Sequence, residues 1–180
     1  MMTNSLIERV ESRSLQCSKH RRYRDVCNSK MVNYMSEEIE PRYYPVRLVW
    51  TGGKSGDLEV KGKVVIKTGV PSGGPEEDKF HSPEDLFVAS PTMCYMNGFV
   101  DFTRKMRIEF KSFECDAVGT LEKVGRSFEV TKIEMTTKVA IGSKDIRKKI
   151  DRALELAAKY CFIGNSMKCP ITHKTEVVVG

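Results

Sequence analysis

This chain of 180 residues lacks several features that would place it in a familiar class. It has no run of 18 or more apolar residues, so no membrane-spanning helix and no membrane partner are expected. Its N-terminus lacks the apolar block of a secretory signal. A glycine-rich phosphate loop, a serine triad and a cluster of metal ligands are also missing. We therefore expect a cytoplasmic protein with no bound metal or cofactor.

The cysteines are the first positive signal. There are six, and without export most of them should be reduced thiols rather than parts of a disulfide framework. A disulfide that does form should then be catalytic or regulatory. Cys17, His20 and Cys27 suggest zinc, but three candidate ligands at a spacing that fits no strong pattern do not predict a zinc site.

Composition and charge indicate one globular domain. The chain is 40% hydrophobic and carries a net charge of +6, with lysine and arginine mixed among acidic residues. This mixture is typical of a solvated surface, and we expect no nucleic-acid partner. Residues 1–38 are polar, basic and weakly periodic, which predicts a flexible arm before a domain at 39–180. Met31 and Met35 are alternative starts, and docking on an acidic partner is an alternative role for the arm.

Hydrophobic periodicity predicts strands and two helices in the rest of the chain. Ser82, followed by Pro83 and two acidic residues, predicts the start of a long helix, and Ser143 is the expected cap of a second helix. Alternating apolar residues predict strands in five segments: 43–50, 58–67, 107–122, 127–140 and 173–179. Slips in the alternation of the third and fourth segments favour a β-bulge. This order predicts an α+β domain with antiparallel sheets packed around two central helices.

Each predicted helix carries a cysteine. The first helix is apolar on every side, which predicts burial at the centre of the fold, and it contains Cys94. Pro91 should kink it one turn earlier. Cys161 lies on the apolar face of the second helix, 67 residues after Cys94. Buried cysteines are often plain apolar fillers, so the residues alone leave open whether these two react.

Three short motifs resemble the OsmC/Ohr family of thiol-dependent peroxidases, and the resemblance covers residues 44–179. TGGK at 51–54 is similar to a Thr-Gly-Gly-Arg turn in that family. SPEDLFVASPTMC is similar to its Asn-Pro-Glu-x-Leu stretch, with Cys94 ten residues after Glu84 as the reactive cysteine is in the family. YCFIGNSMK is similar to a Cys-Pro-x-Ser-Asn motif, with Cys161 as the second cysteine.

The resemblance implies a peroxidase for organic hydroperoxides in oxidative-stress defence. Cys94 would be oxidised to a sulfenic acid and Cys161 would condense with it, after which an external dithiol reduces the disulfide. Glu84 would hold Lys54, in place of the family's arginine, beside the Cys94 thiolate. Phe87, Met93, Tyr95 and Phe99 would form an apolar substrate pocket. The family also implies an intertwined homodimer with its sites at the subunit interface.

Two departures from the family pattern leave alternatives open. Lysine cannot make arginine's two-pronged contact with a carboxylate, and Arg47 and Lys67 are other possible cations. A Cys-Pro pair occurs at Cys169 rather than at Cys161, so Cys169 is an alternative resolving thiol. The alternative function is an OsmC-like protein that binds a small ligand or senses redox state without peroxidase activity.

Overall fold

The computed structural model describes residues 40–70 and 79–180. The predicted arm at 1–38, with Cys17, His20 and Cys27, lies outside the described residues. From Arg47 onward the chain forms two three-stranded sheets and two long helices. The predicted α+β class is confirmed. In the described part of the chain, no helix is long and apolar enough to cross a membrane.

The first sheet is small and antiparallel. Its strands are β1 (Arg47–Gly52), β2 (Ser55–Glu59) and β3 (Ile66–Thr68), paired in that order. The prediction of one strand over 58–67 was wrong. Gly62, at a φ of 76°, turns the chain back, so the segment is divided between β2 and β3. The sheet makes few contacts with the helices or the second sheet.

Helix α1 (Pro83–Met106) begins where the sequence predicts. The Ser82 hydroxyl accepts a hydrogen bond from the Asp85 backbone N–H at 3.1 Å, and the Asp85 carboxylate accepts one from the Ser82 N–H at 2.8 Å. The bond from the Ser82 N–H, followed by an interaction of the carboxylate with the Ser82 hydroxyl, holds the pKa of Asp85 below its ordinary value. The helix ends at Arg107, which takes a left-handed conformation.

Burial on α1 differs from the prediction that the helix is enclosed on every side. Pro91, Tyr95, Phe99 and Thr103, four residues apart, form its buried face. On another face Met93 is 58% exposed. Within one chain, therefore, α1 is buried along one side only.

The second sheet carries the core. Strands β4 (Ser112–Val124) and β5 (Ser127–Ile141) form an antiparallel hairpin with Gly125 in its turn, and their register shifts at Thr120/Leu121, which confirms the predicted bulge. Strand β6 (Ile171–Val179) pairs with β5 in parallel, so this sheet is mixed rather than antiparallel. The reason is that a helix crosses over between them and returns the chain in the same direction.

That crossover contains helix α2 (Arg147–Lys159) and the one-turn helix α3 (Phe162–Asn165). Ser143 caps a 3₁₀ turn at Lys144–Ile146 that leads into α2, rather than α2 itself. Both long helices and the second sheet contribute to one hydrophobic core, including Phe99, Ile133 and Leu154.

Candidate functional site

The two long helices approach each other closely at a pair of small residues. A Cβ atom built on Gly98 of α1 would lie 3.5 Å from both the Cα and the Cβ of Ala157 on α2. Gly98 follows Cys94 by one helical turn, and Ala157 precedes Cys161 by a similar distance. This close contact therefore holds the two cysteine-bearing segments together.

Cys161 is buried, with 6% of its surface exposed, and its sulfur has defined neighbours. It lies just after α2, as the N-cap of α3, where the Gly164 backbone N–H donates to its sulfur at 3.3 Å. The thiol itself donates to the backbone carbonyl of Pro91 at 3.8 Å. Pro91, buried on α1 one turn before Cys94, thus contacts the second cysteine through its carbonyl group.

Cys94 and Cys161 are neighbouring free thiols. Burial raises the pKa of Cys161, and the nearby Cys94 raises that pKa further. The hydrogen bond from the Gly164 N–H lowers the pKa of Cys161. Burial and Cys94 therefore both favour the protonated form of Cys161. The two predicted cysteines are brought together from distant parts of the sequence.

Glu84 and Lys54 are not brought together with Cys94 within the described chain. Glu84 is exposed in the first turn of α1, about 15 Å along the helix axis from Cys94 at 1.5 Å per residue. Lys54 is exposed in the turn between β1 and β2. No ion pair between them is found among residues 40–70 and 79–180. Their predicted roles stay predictions.

The alternative cations already have carboxylate partners in the first sheet. Arg47 donates to Glu59 at 2.9 Å, and Lys67 forms an ion pair with Asp57 at 2.8 Å. Both pairs join neighbouring strands. Neither cation is placed beside the cysteines by these contacts.

The four residues predicted to form a substrate pocket do not share one wall. Tyr95 and Phe99 are buried in the core, where their rings pack against Phe113. Phe87 and Met93 are exposed on α1. Because i and i+4 positions share a helix face, Tyr95 and Phe99 point to the second sheet, away from Met93. Of these four residues, Phe87 and Met93 are the two that a single chain leaves exposed for contact with another molecule.

A cavity of about 530 Å³ lies beside Cys161. Its walls come from the end of α2, from α3 and from the start of β6, together with Pro91 and Met135. Cys161, Cys169 and His173 all line it, whereas Cys94 does not. Burial lowers the pKa of His173, so its imidazole is neutral near pH 7.

The family model described as OsmC-like protein matches residues 76–176, more than half of the chain. The chain belongs to the OsmC-like protein family. The resemblance inferred from the three motifs is thereby confirmed. None of the curated proteins matches this OsmC-like protein.

Solved structures share its fold. An OsmC-like protein of unknown function from Vibrio cholerae is 24% identical, with a TM-score of 0.67 over 77% of this chain and 100% of the other. An organic hydroperoxide resistance protein from Elizabethkingia anophelis is 19% identical, with a TM-score of 0.58 over 77% and 99%. The organic hydroperoxide resistance protein OhrB of Bacillus subtilis is 20% identical, with a TM-score of 0.51 over 75% and 98%. At these identities the likeness establishes the fold.

The remaining described cysteine of this OsmC-like protein is Cys115, and its contact with the neighbouring strand indicates a structural role. The Thr137 hydroxyl donates to its sulfur at 3.3 Å across the β4–β5 pair. Burial raises the pKa of Cys115. No group of three Cys, His, Asp or Glu side chains in the described segments is arranged to hold a metal ion.

Sequence analysis missed Gly98, Ala157 and Gly164 as site residues. The available signal was their size and spacing, since a glycine inside an apolar helix weakens the helix unless another backbone comes close. Gly98 is one turn from Cys94, and Gly164 is three residues after Cys161. Small residues near both cysteines were a sign of close packing.

Proposed function

We propose that this OsmC-like protein is a cysteine-based peroxidase that reduces organic hydroperoxides. The observation that carries the proposal is the position of Cys161, whose thiol contacts the Pro91 carbonyl at 3.8 Å on the helix that contains Cys94, and whose pKa is affected by Cys94. Two fold relatives named organic hydroperoxide resistance proteins support the same chemistry.

The reaction uses both thiols. The Cys94 thiolate attacks the terminal oxygen of the hydroperoxide and the O–O bond breaks. The alkoxide takes a proton from water and leaves as the alcohol, and Cys94 becomes a sulfenic acid. The Cys161 thiol then attacks that sulfur, releasing water and forming a disulfide. An external dithiol supplies two electrons and restores both thiols. The protonated state of Cys161 suits this order, because Cys161 acts only after Cys94 is oxidised.

A cation between Glu84 and Cys94 would support the thiolate. The carboxylate of Glu84 is too far along α1 to reach the sulfur itself. Lys54 is our candidate, although lysine gives one point charge where arginine gives a two-pronged contact. Because Lys54 and Glu84 do not pair within the described chain, we propose that Lys54 is delivered by a second copy.

A homodimer would also cover two apolar surfaces. On the first sheet Trp50 is 74% exposed and Leu48 is 64% exposed, although this sheet has little core of its own. On α1, Phe87, Met93 and Met96 are exposed. Burying these faces against a second copy would enclose Cys94 in an apolar pocket that suits a greasy hydroperoxide. The protein would work in the cytoplasm, where its thiols stay reduced.

Ligand binding or redox sensing without turnover is a second candidate, favoured by the exposure of Lys54 and its lack of an ion pair within residues 40–70 and 79–180. A Lys54→Arg variant separates the two functions. Under the peroxidase proposal it should consume hydroperoxide at least as fast as the wild type. A retained apolar ligand in native mass spectrometry, with thiols unchanged by peroxide, would support the second candidate.

Cysteine variants test the proposal directly. Cys94→Ser should abolish consumption of cumene hydroperoxide with dithiothreitol. Cys161→Ser, assayed without a thiol reductant, should allow one turnover and leave a sulfenic acid that dimedone labels. Cys115→Ser is the matched control and should retain wild-type turnover, since Cys115 faces Thr137 rather than the other thiols. Undiminished consumption by Cys94→Ser would refute the peroxidase.

A further inference from the structure

The cavity beside Cys161 is not used by the peroxide reaction proposed above. That reaction takes place at Cys94, on α1, whereas the cavity lies between α3 and the start of β6. Cys161 is the residue that both sides share, because its sulfur is next to Cys94 and also forms part of the cavity wall. Any role for the cavity must therefore act through Cys161.

Disulfide reduction has a directional requirement that this arrangement meets. A thiolate that attacks a disulfide approaches one sulfur roughly in line with the S–S bond, on the side opposite the leaving sulfur. In a Cys94–Cys161 disulfide, Cys94 occupies one side of the Cys161 sulfur. A nucleophile in the cavity would approach from another side, with the Cys94 thiolate as the leaving group.

We propose that this cavity is the entry site for the thiol reductant, which attacks the Cys161 sulfur and not the Cys94 sulfur. The inference rests on the proposed function, since it requires the Cys94–Cys161 disulfide. Hydroperoxide and reductant would then react at different sulfurs. A substrate bound beside Cys94 would not block reduction of Cys161.

The reaction balances with two thiols and no other reactant. The first thiolate bonds to Cys161, the S–S bond breaks, and Cys94 leaves as a thiolate. A second thiol then attacks the sulfur that the first one contributed, releasing Cys161, which takes up a proton, and a small-molecule disulfide. Two electrons pass from the two thiols to the protein.

The cavity walls indicate which thiols fit. Met135, Met167 and Ile171 supply apolar surface for an aliphatic chain, and Lys159 supplies a positive charge at the edge. His173 is neutral near pH 7 because burial lowers its pKa, so it adds no second cation. We expect neutral or anionic aliphatic thiols to enter more readily than cationic ones.

The first experiment locates the mixed disulfide. The full-length protein is oxidised with cumene hydroperoxide, or with diamide in a parallel sample, and then quenched with acid during reduction by β-mercaptoethanol. Peptide mapping should find mercaptoethanol on Cys161 and a free thiol at Cys94. Mercaptoethanol on Cys94 would overturn the inference.

A matched pair of glycine variants tests whether the thiol reductant enters through this cavity. A methyl group on Gly164 would lie 3.3 Å from the Cys161 sulfur and 3.2 Å from Cδ1 of Ile171, narrowing the cavity beside that sulfur. Gly164→Ala should slow reduction of the disulfide several-fold. The control is Gly142→Ala, whose methyl group meets only the end of Lys111 at 3.7 Å. Equal reduction rates in the two variants would contradict the proposed entry site.

The two oxidants separate failure of the inference from failure of the function. A disulfide that diamide forms and cumene hydroperoxide does not would refute the peroxidase, and the mapping would still locate the attacked sulfur. If neither oxidant links Cys94 to Cys161, both proposals are wrong. Faster reduction by cysteamine than by 3-mercaptopropionate, at equal thiolate concentration, would contradict the assigned class of thiol.

Discussion

The contact between Gly98 and Ala157 allows a prediction that links helix packing to disulfide chemistry. A Cβ on Gly98 would be in ordinary van der Waals contact, at 3.5 Å from the Cα and Cβ of Ala157 and 3.8 Å from its carbonyl oxygen. Alanine therefore fits without movement of either helix. Any larger side chain places further atoms against the backbone of α2.

Two substitutions at this position should have opposite effects. Gly98→Ala should raise the free energy of unfolding by up to about 1 kcal/mol, because glycine is the poorer helix former. For a chain of this size that is an increase in Tm of about 2–4 °C. Gly98→Leu should lower the free energy of unfolding by about 1–3 kcal/mol through overpacking, and should move Cys94 away from Cys161.

Urea unfolding and a single-turnover assay measure the two consequences separately. After one equivalent of cumene hydroperoxide, the sulfenic acid should form at the wild-type rate in both variants. The following disulfide should form at the wild-type rate in Gly98→Ala and several-fold more slowly in Gly98→Leu. Wild-type disulfide formation in Gly98→Leu would refute the argument that this contact sets the distance between the thiols.

Three further predictions concern the start of α1, the buried imidazole and the exposed apolar face. Ser82→Ala should lower the free energy of unfolding by about 1 kcal/mol in urea unfolding, and Ser82→Thr should lower it less, because threonine keeps the capping oxygen. His173→Gln should weaken the loss of stability in acid. The wild-type chain takes up a proton at His173 more readily when unfolded. Its free energy of unfolding therefore falls as the pH drops below the ordinary pKa of 6.5 toward the lower pKa of the folded state. Unfolding curves at several pH values would show whether the free energy of unfolding depends less on pH in the variant. Met93→Lys should shift the protein from dimer to monomer in analytical ultracentrifugation, with Glu109→Lys as an exposed control; a monomeric wild type would contradict the proposed dimer.

Local signals accounted for the parts of the fold that sequence analysis predicted well. The start of α1 depends on Ser82, Pro83 and Asp85, which are adjacent and make their contacts with one another. The β4–β5 hairpin depends on Gly125 in its turn, and a slip in the alternation predicted its bulge. Each of these features is decided within a few residues, so a single sequence contains the information.

Features that depend on distant contacts were not predictable in the same way. The parallel pairing of β6 with β5 depends on the path of the crossover, and alternation along a strand is the same in either direction. The apolar pattern of α1 predicted burial on every side, yet Met93 is exposed in the single chain because a pattern does not say which molecule covers a face. Gly98 and Ala157 lie in different helices, and only the fold brings them together.

In the candidate site, too, some features depend on local sequence and others on distant contacts. The motifs singled out Cys94 and Cys161, and the fold places Cys161 against Pro91 of α1 and near Cys94, while their roles in a reaction stay predictions. The cavity shared by Cys161, Cys169 and His173 depends on how α3 meets β6, which no short motif encodes. Tyr95 and Phe99 were assigned to a substrate pocket because they are apolar and near Cys94, whereas helical spacing turns them into the core.

The most direct test of the account is peptide mapping of the reduced protein after one equivalent of cumene hydroperoxide. The account predicts the loss of two thiols and one new disulfide, joining Cys94 to Cys161, with Cys115 and Cys169 still free. A protein that keeps all its thiols, or one that forms a disulfide without Cys94, would contradict it.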